Sequence, residues 1–342
     1  MEEFTKKESS ILKAIAILFM VGLHLFNRAD IEGYYRPFLY IGNNSLIYIL
    51  SYLFDACVPL FLFSAGYASY VNKNQTFRQL LKRLLKLLIN FWIVIIFTII
   101  MGIIFKSDTI PGTLSDFMGN IFLYDINYVG AWWFMQTYVI LTLISPLIMK
   151  LFDKFHACVI VFVSLLIYFI AYYFRIMNPL VSDIYLINIL INTLVLMGTS
   201  LLSYIIGILF RKFTVITKIR SITSIKHNVY GLLLILICIV AHWIVKSLIV
   251  APFIAIVFVI AYSLINFNKN IEKILLFFSK HSTNIWLVHM QFYMIFMKDL
   301  VFSTNTVLGC FVIVLVLSIL SSYLITFFTN KVNGYINKRS FA

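Results

Sequence analysis

The chain has 342 residues, 62% of them hydrophobic and 12% charged, with a formal net charge of +14 at pH 7. A water-soluble domain carries about 25% charged residues. At a mean hydropathy of +0.98, the chain has more apolar surface than one aqueous core can enclose, so lipid must be part of its solvent. The excess of Lys and Arg does not point to nucleic acid, because it falls in short loops between apolar runs, the pattern of cationic loops held on one side of a bilayer.

The first apolar run, Ile11 to Phe26, lacks a small-residue cleavage site and is followed by further runs. It reads as a retained helix rather than a signal peptide. A spanning helix needs about 20 apolar residues. Runs of that length predict spans near 11–27, 46–71, 84–105, 132–149, 156–174, 185–210, 229–247, 249–267, 274–297 and 305–329. The seventh and eighth meet at a tight turn around Lys246 to Pro252. With the N-terminus in the cytoplasm, 21 of the 27 Lys and Arg fall in cytoplasmic segments, among them Lys6, Lys7, Lys13, Arg83, Lys86, Lys226, Lys338 and Arg339. The other six are Arg28, Arg36, Lys106, Arg175, Lys246 and Lys298. This loop-by-loop alternation predicts an all-α, polytopic membrane bundle of about ten transmembrane helices with both termini cytoplasmic, residues 1–342 forming a single domain. Tyr34, Tyr35, Tyr40, Trp132 and Trp133 in the longer non-cytoplasmic segments read as an aromatic belt. Cys57, Cys158, Cys238 and Cys310 sit in apolar runs without metal-site spacing and read as packing residues. No metal is implied.

Ionisable groups inside hydrocarbon are costly, and each is a functional candidate. The candidates are His24, Asp55, His242 and His289. Lys13 and His24 are eleven positions apart, about 16 Å and three turns along a helix, which puts them near one face. That suits a long ligand with an anionic end at the cytoplasmic surface. The same spacing also fits a snorkelling lysine and an interfacial histidine. Asp55 shares the outer half of the bilayer with His24 and could fix its tautomer, leaving the other nitrogen as a base; alternatively it bonds backbone freed by Pro59. Arg83 and Lys86, three apart on one face, could grip phosphates or simply anchor the helix. Trp286 and His289 share a face, whereas Asn284 and His289 do not. His289 fits either a cavity wall or an interhelical bond. His156, His227 and His281 are expected to be solvated near cytoplasmic loops.

Together these pieces resemble the acyltransferase-3 family of bacterial integral-membrane acyltransferases, along the whole chain. Lys13, ten intervening residues and His24 look like its basic-X10-His motif. Val58-Pro-Leu-Phe-Leu-Phe-Ser-Ala-Gly66-Tyr67 looks like its Val-Pro-Leu-Phe-Phe signature with Ser-Gly-Tyr. Arg83-Leu-Leu-Lys86 looks like Arg-x-x-Arg, Gly130-Ala-Trp-Trp133-Phe134 resembles a Trp-Phe motif followed by Pro146, and Ile285-Trp-Leu-Val-His289 resembles Ile-Tyr-Leu-x-His. The resemblance implies a helix-1 catalytic histidine, His24, and basic contacts to an acyl-CoA donor, Lys13, Arg83 and Lys86. Three departures stand out. Lys13 and Lys86 replace the commoner Arg and lose its planar fork. Ala65 occupies the signature serine position, with Ser64 one place early. Ala131 stands where many members have His.

The expectation is a membrane O-acyltransferase that takes an acyl group, acetyl in most relatives, from cytoplasmic acetyl-CoA or another acyl-CoA. The acceptor would be a hydroxyl of a cell-surface polysaccharide or its lipid-linked precursor at a bacterial cell membrane. His24 and Asp55 are the candidate catalytic pair, Lys13, Arg83 and Lys86 the donor contacts, and Trp133, Trp286 and His289 candidate cavity-lining residues. The resemblance does not extend to the hydrolase-like extracytoplasmic domain that some members carry, so the acceptor is expected to meet the bundle directly. The competing expectation is a polysaccharide or precursor transporter, for which broken helices and paired repeats would be the signature.

Overall fold

The computed structural model describes residues 3–28, 33–222 and 227–339, without the side chains of residues 227 and 337–339. Lys226 therefore lies outside the described residues, as do the side chains of His227, Lys338 and Arg339. The described chain is helical apart from one hairpin, in which β1 (Tyr40–Ile41) pairs antiparallel with β2 (Asn44–Ser45). The helices are α1 (Lys6–Phe26), α2 (Leu46–Phe54), α3 (Cys57–Val71), α4 (Phe77–Ile104), α5 (Leu114–Phe122), α6 (Trp133–Lys154) and α7 (Ala157–Tyr172). They continue with α8 (Tyr185–Lys212), α9 (Val215–Ile222), α10 (His227–Ile244), α11 (Ala251–Leu264), α12 (Lys269–Gln291), α13 (Lys298–Phe302) and α14 (Val307–Arg339).

Seven helical stretches among the described residues are long and apolar enough to cross a bilayer: Lys6–Phe26, Leu46–Val71, Phe77–Ile104, Gly130–Lys154, Ala157–Met177, Tyr185–Lys212 and Val307–Ile336. The chain is an all-α, multi-pass membrane protein. The three other expected spans coincide with α10, α11 and α12. Two of these form the shorter apolar helices Asn228–Ile244 and Leu248–Leu264, and α12 carries the polar stretch Lys280 to Asn284.

Local chemistry sets the boundaries. Thr5 caps α1 in a reciprocal box with Glu8: the Glu8 N–H donates to Thr5 Oγ1 at 3.1 Å, and the Thr5 N–H donates to Glu8 Oε2 at 2.8 Å. Thr76 and Gln79 form a second box that starts α4 at Phe77, a full two turns before the apolar run begins at Leu84. The capped first turns are polar and left no hydropathy signal. Within the second span the helix breaks at Asp55 and Ala56. Pro59 has no N–H to return to the Asp55 carbonyl, and the ladder resumes with the Leu60 N–H donating to the Ala56 carbonyl at 2.9 Å.

The chain forms two compact units. The first comprises Met1–Asn27, Leu39–Asn74 and Ile140–Lys280. Its core gathers Leu12, Ala16, Leu60, Phe63, Phe258 and Val259 from α1, α3 and α11. The closest helix crossing in it joins α3 and α8 backbone to backbone. A Cβ at Gly66 would run into the Tyr204 carbonyl oxygen, and one at Gly207 into the Phe63 carbonyl oxygen. Small residues at such a crossing are the membrane route to tight packing. One turn away, the Tyr204 hydroxyl donates to Ser69 Oγ at 2.6 Å.

The second unit comprises Arg28–Phe38, Gln75–Val139 and His281–Ala342. Polar bonds tie α4, α12 and α14 together within it. Asn90 Nδ2 donates to Asn284 Oδ1 at 2.8 Å, Asn284 Nδ2 donates to Ser322 Oγ at 3.1 Å, and the Thr329 hydroxyl donates to Asn90 Oδ1 at 3.1 Å. His281 belongs to this network, with Nδ1 2.9 Å from Ser322 Oγ and its ring centroid 4.7 Å from that of Tyr323. The expectation of a solvated His281 is therefore corrected: α12 starts at Lys269, which carries His281 into the packed interior, 8% exposed. His156 is exposed as expected. On α5, the Thr113 hydroxyl and N–H and the Asn127 amide hold the Asp116 carboxyl below the usual carboxylate range.

The α3–α8 crossing has a measurable consequence. Gly66→Ala and Gly207→Ala should each cost on the order of 1–3 kcal/mol by overpacking, read as a lower thermal midpoint in detergent. A control such as Gly334→Ala, which meets nothing, should leave the midpoint in place.

Candidate functional site

On α1, Ile11, Leu12, Ala14, Ala16, Ile17 and Met20 are buried, and Lys13 and His24 are half-buried. Lys13 and His24 differ by only about 20° around the axis and by about 16 Å along it. They share one face of a helix whose residues from Ile11 to Phe26 are all buried or half-buried. A different face of α1 meets α2: the Phe19 and Phe54 ring centroids lie 5.0 Å apart, a Cβ at Gly22 would come within 2.8 Å of the Phe54 ring, and Asn27 Nδ2 donates to Ser51 Oγ at 2.9 Å. Phe19 and Gly22 lie roughly 140–160° around the helix from His24, whereas Asn27, just past the last turn, lies roughly 60° from it.

Asp55, expected to pair with His24, faces a different histidine. Asp55 caps the C-terminus of α2, and its Oδ2 lies 3.5 Å from Nε2 of His242 on α10. The His242 ring is fully enclosed, and Nδ1 is 3.2 Å from the Val245 carbonyl. A carbonyl only accepts, so Nδ1 carries the hydrogen. The facing Nε2 and Asp55 oxygen are then complementary only when a proton sits on one of them. Asp55 and His242 thus form a buried acid–imidazole contact joining α2 to α10, with the Tyr52 ring centroid 5.8 Å from that of His242. The sequence placed Asp55 and His24 in the same half of the bilayer, and the structure sets Asp55 against His242.

In the second unit, Arg83 is half-buried and Lys86 exposed on α4. Arg83 Nε is buried without a hydrogen-bond partner among the described residues. A guanidinium donor in that state is costly unless something accepts from it.

Two of the motifs, distant in sequence, bond to each other. Gly130–Trp132 forms a 3-10 turn ahead of α6. Trp132 Nε1 donates to the Leu287 carbonyl at 2.7 Å, and Trp286 Nε1 donates to the Ala131 carbonyl at 3.0 Å. Each indole thus satisfies backbone in the other's motif, and the Phe134 ring packs edge-on to Trp286 with centroids 5.3 Å apart. Next to this clamp, His289 is fully buried with Nδ1 3.0 Å from the Ile285 carbonyl and 2.8 Å from the Trp286 carbonyl. Two carbonyl acceptors fix the hydrogen on Nδ1 and leave Nε2 as the acceptor of the neutral ring. The indole N–H of Trp286, one of the candidate cavity-lining residues, serves the backbone. Trp133 is half-buried, its ring 5.8 Å from that of Phe134. Spacing alone could not have revealed the clamp, since nothing in either motif names its partner.

Two outcomes follow. Trp132→Phe and Trp286→Phe should each lower stability by about 1 kcal/mol through a lost bond to a buried carbonyl, and the double variant should depart from additivity because both bonds close one clamp; thermal unfolding in detergent measures both. Asp55→Leu, which leaves His242 Nε2 facing carbon, should cost roughly 1–3 kcal/mol, whereas Asp55→Asn keeps a donor and should cost less in the same assay.

The chain was compared with known proteins. No curated protein sequence and no solved structure matches it. The acyltransferase-3 family model, described as an acyltransferase domain, matches residues 7–327. The match runs from the first turn of α1 into the second half of α14 and takes in every motif placed above. The chain belongs to the acyltransferase-3 family and is a membrane acyltransferase.

Proposed function

We propose that the protein moves an acyl group, acetyl above all, from cytoplasmic acyl-CoA to a hydroxyl of a cell-surface polysaccharide or its lipid-linked precursor in the bacterial cell membrane. Family membership supports acyl transfer. The specific reading is carried by the line of Lys13 and His24 on one face of α1, a cation and an imidazole about 16 Å apart along the axis. In this reading the Lys13 end of α1 faces the cytoplasm. The CoA phosphates are neutralised by Lys13, Arg83 and Lys86, with the Arg83 fork supplying paired donors. The unsatisfied Arg83 Nε supports that role.

The thioester then lies near His24, which accepts the proton of the acceptor hydroxyl. The oxygen attacks the thioester carbonyl, the C–S bond breaks, and the departing thiolate takes up the proton from the imidazolium. A route through acyl-histidine balances equally well and differs in giving ping-pong kinetics. Asp55 contributes through the fold, by holding α2 to α10. Trp132 and Trp286 keep their two motifs in register, and Trp133 and His289 stand beside that clamp.

The test is transfer of radiolabelled acetyl from acetyl-CoA by purified protein to candidate glycans. His24→Ala should lower kcat by about 10²–10⁴, the range for a lost general base. Arg83→Ala should raise KM for acetyl-CoA more than it lowers kcat. Equal transfer by wild type and both variants would reject the site. In cells, the His24→Ala strain should keep its glycan at the surface without base-labile acetyl; loss of the glycan from the surface would indicate transport instead.

A further inference from the structure

The residues ahead of α1, together with its first turn, make a set of contacts that the transfer reaction does not use. Glu3 is buried. Its carboxylate accepts from the Tyr67 hydroxyl at 3.0 Å and from the Thr217 N–H at 3.1 Å. Thr217 lies in the first turn of α9, where unpaired N–H groups and the helix dipole favour an anion. The Phe4 ring packs on both Tyr67 and Tyr262, its centroid 5.7 Å from each and its plane tilted 50° and 56° to theirs, with the Arg220 guanidinium 5.9 Å away. Glu8 Oε1 is 2.5 Å from Arg220 Nη2, and the Glu8 carbonyl accepts from the Tyr262 hydroxyl at 2.6 Å. Arg211 stands over the Tyr67 ring at 5.9 Å. All of these groups belong to the first unit.

Two tyrosines and a guanidinium clasp a flat aromatic ring, and two carboxylates meet a helix N-terminus and an arginine. These are the elements that recognise a planar aromatic group carrying phosphates. Tyr67 ends the signature run at Val58 to Tyr67, so the clasp is built partly on a motif of the acyltransferase domain.

We propose that this end of the first unit is a nucleotide-type binding site occupied by the chain's own N-terminal strap, Glu3 to Glu8. Phe4 takes the place of the adenine ring. The Glu3 carboxylate takes the place of the 3′-phosphate at the start of α9. The strap withdraws when the CoA portion of the donor binds. The proposal rests on the reading of the donor as a CoA thioester. It gives the adenosine 3′-phosphate a recognition site within the first unit and makes donor binding compete with an intramolecular ligand.

The experiment measures CoA binding by calorimetry to the full-length protein in nanodiscs. Its arms are wild type, a strap-release variant (Glu3→Ala with Phe4→Ala) and the same variant carrying Arg220→Ala. If the strap fills the site nine-tenths of the time, release should tighten CoA binding roughly tenfold. The added Arg220→Ala should remove that gain. A second measurement needs no variant: amide hydrogen exchange over residues 3–8 of the wild type should rise when CoA is added. Wild type that binds CoA, with a release variant that binds no tighter and exchange that does not change, overturns the strap while leaving the donor reading intact. Absence of CoA binding in all three proteins overturns both. If the release variant fails to fold, the wild-type exchange decides.

Discussion

A polar group in hydrocarbon has no water to fall back on, and that constraint organises this protein from its backbone to its candidate chemistry. Helices answer it for the main chain. Side chains answer it by finding one another or by finding spare carbonyls. Asn90, Asn284, Ser322 and Thr329 close a network within the second unit. His242 and His289 each commit one nitrogen to a carbonyl. The proposed transfer rests on the line of Lys13 and His24 on α1 and on Arg83, whose Nε is unpartnered among the described residues.

What the sequence made legible was composition along the axis of each helix. Apolar runs found the long helices because span length is fixed by bilayer thickness. Five short motifs found the family because their order along the chain is distinctive. The sequence was silent about direction around each axis. A shared expected depth suggested pairing His24 with Asp55, and depth alone does not name the group that Asp55 faces. His242, seen as an isolated histidine at the end of a span, turned out to be the group facing Asp55. The first turns of α4, started by a capping box, and the short helices α5, α9 and α13 had no hydropathy signature, because none of them makes an apolar run of bilayer length.

The same distinction separates the parts of the candidate site. The spacing of Lys13 and His24 is a property of a single helix and survives from sequence to structure unchanged. The motif tryptophans are different. They looked like an aromatic belt or a cavity wall while each motif was considered alone, and became a reciprocal clamp only once residues from opposite ends of the chain were adjacent.

That clamp bears on how the protein is made. The bonds joining Trp132 to Leu287 and Trp286 to Ala131 link residues 155 apart in sequence. The turn at Gly130 to Trp132 leaves the ribosome long before α12 exists. During synthesis its indole and carbonyl must wait at the membrane surface, or borrow lipid headgroups and water, while more than a hundred further residues are inserted. Contacts of such long range close late and leave earlier segments exposed to mispairing. Translocon-bound intermediates truncated before Trp286 should hold this motif open, so the second unit matures only when the final third of the polypeptide arrives.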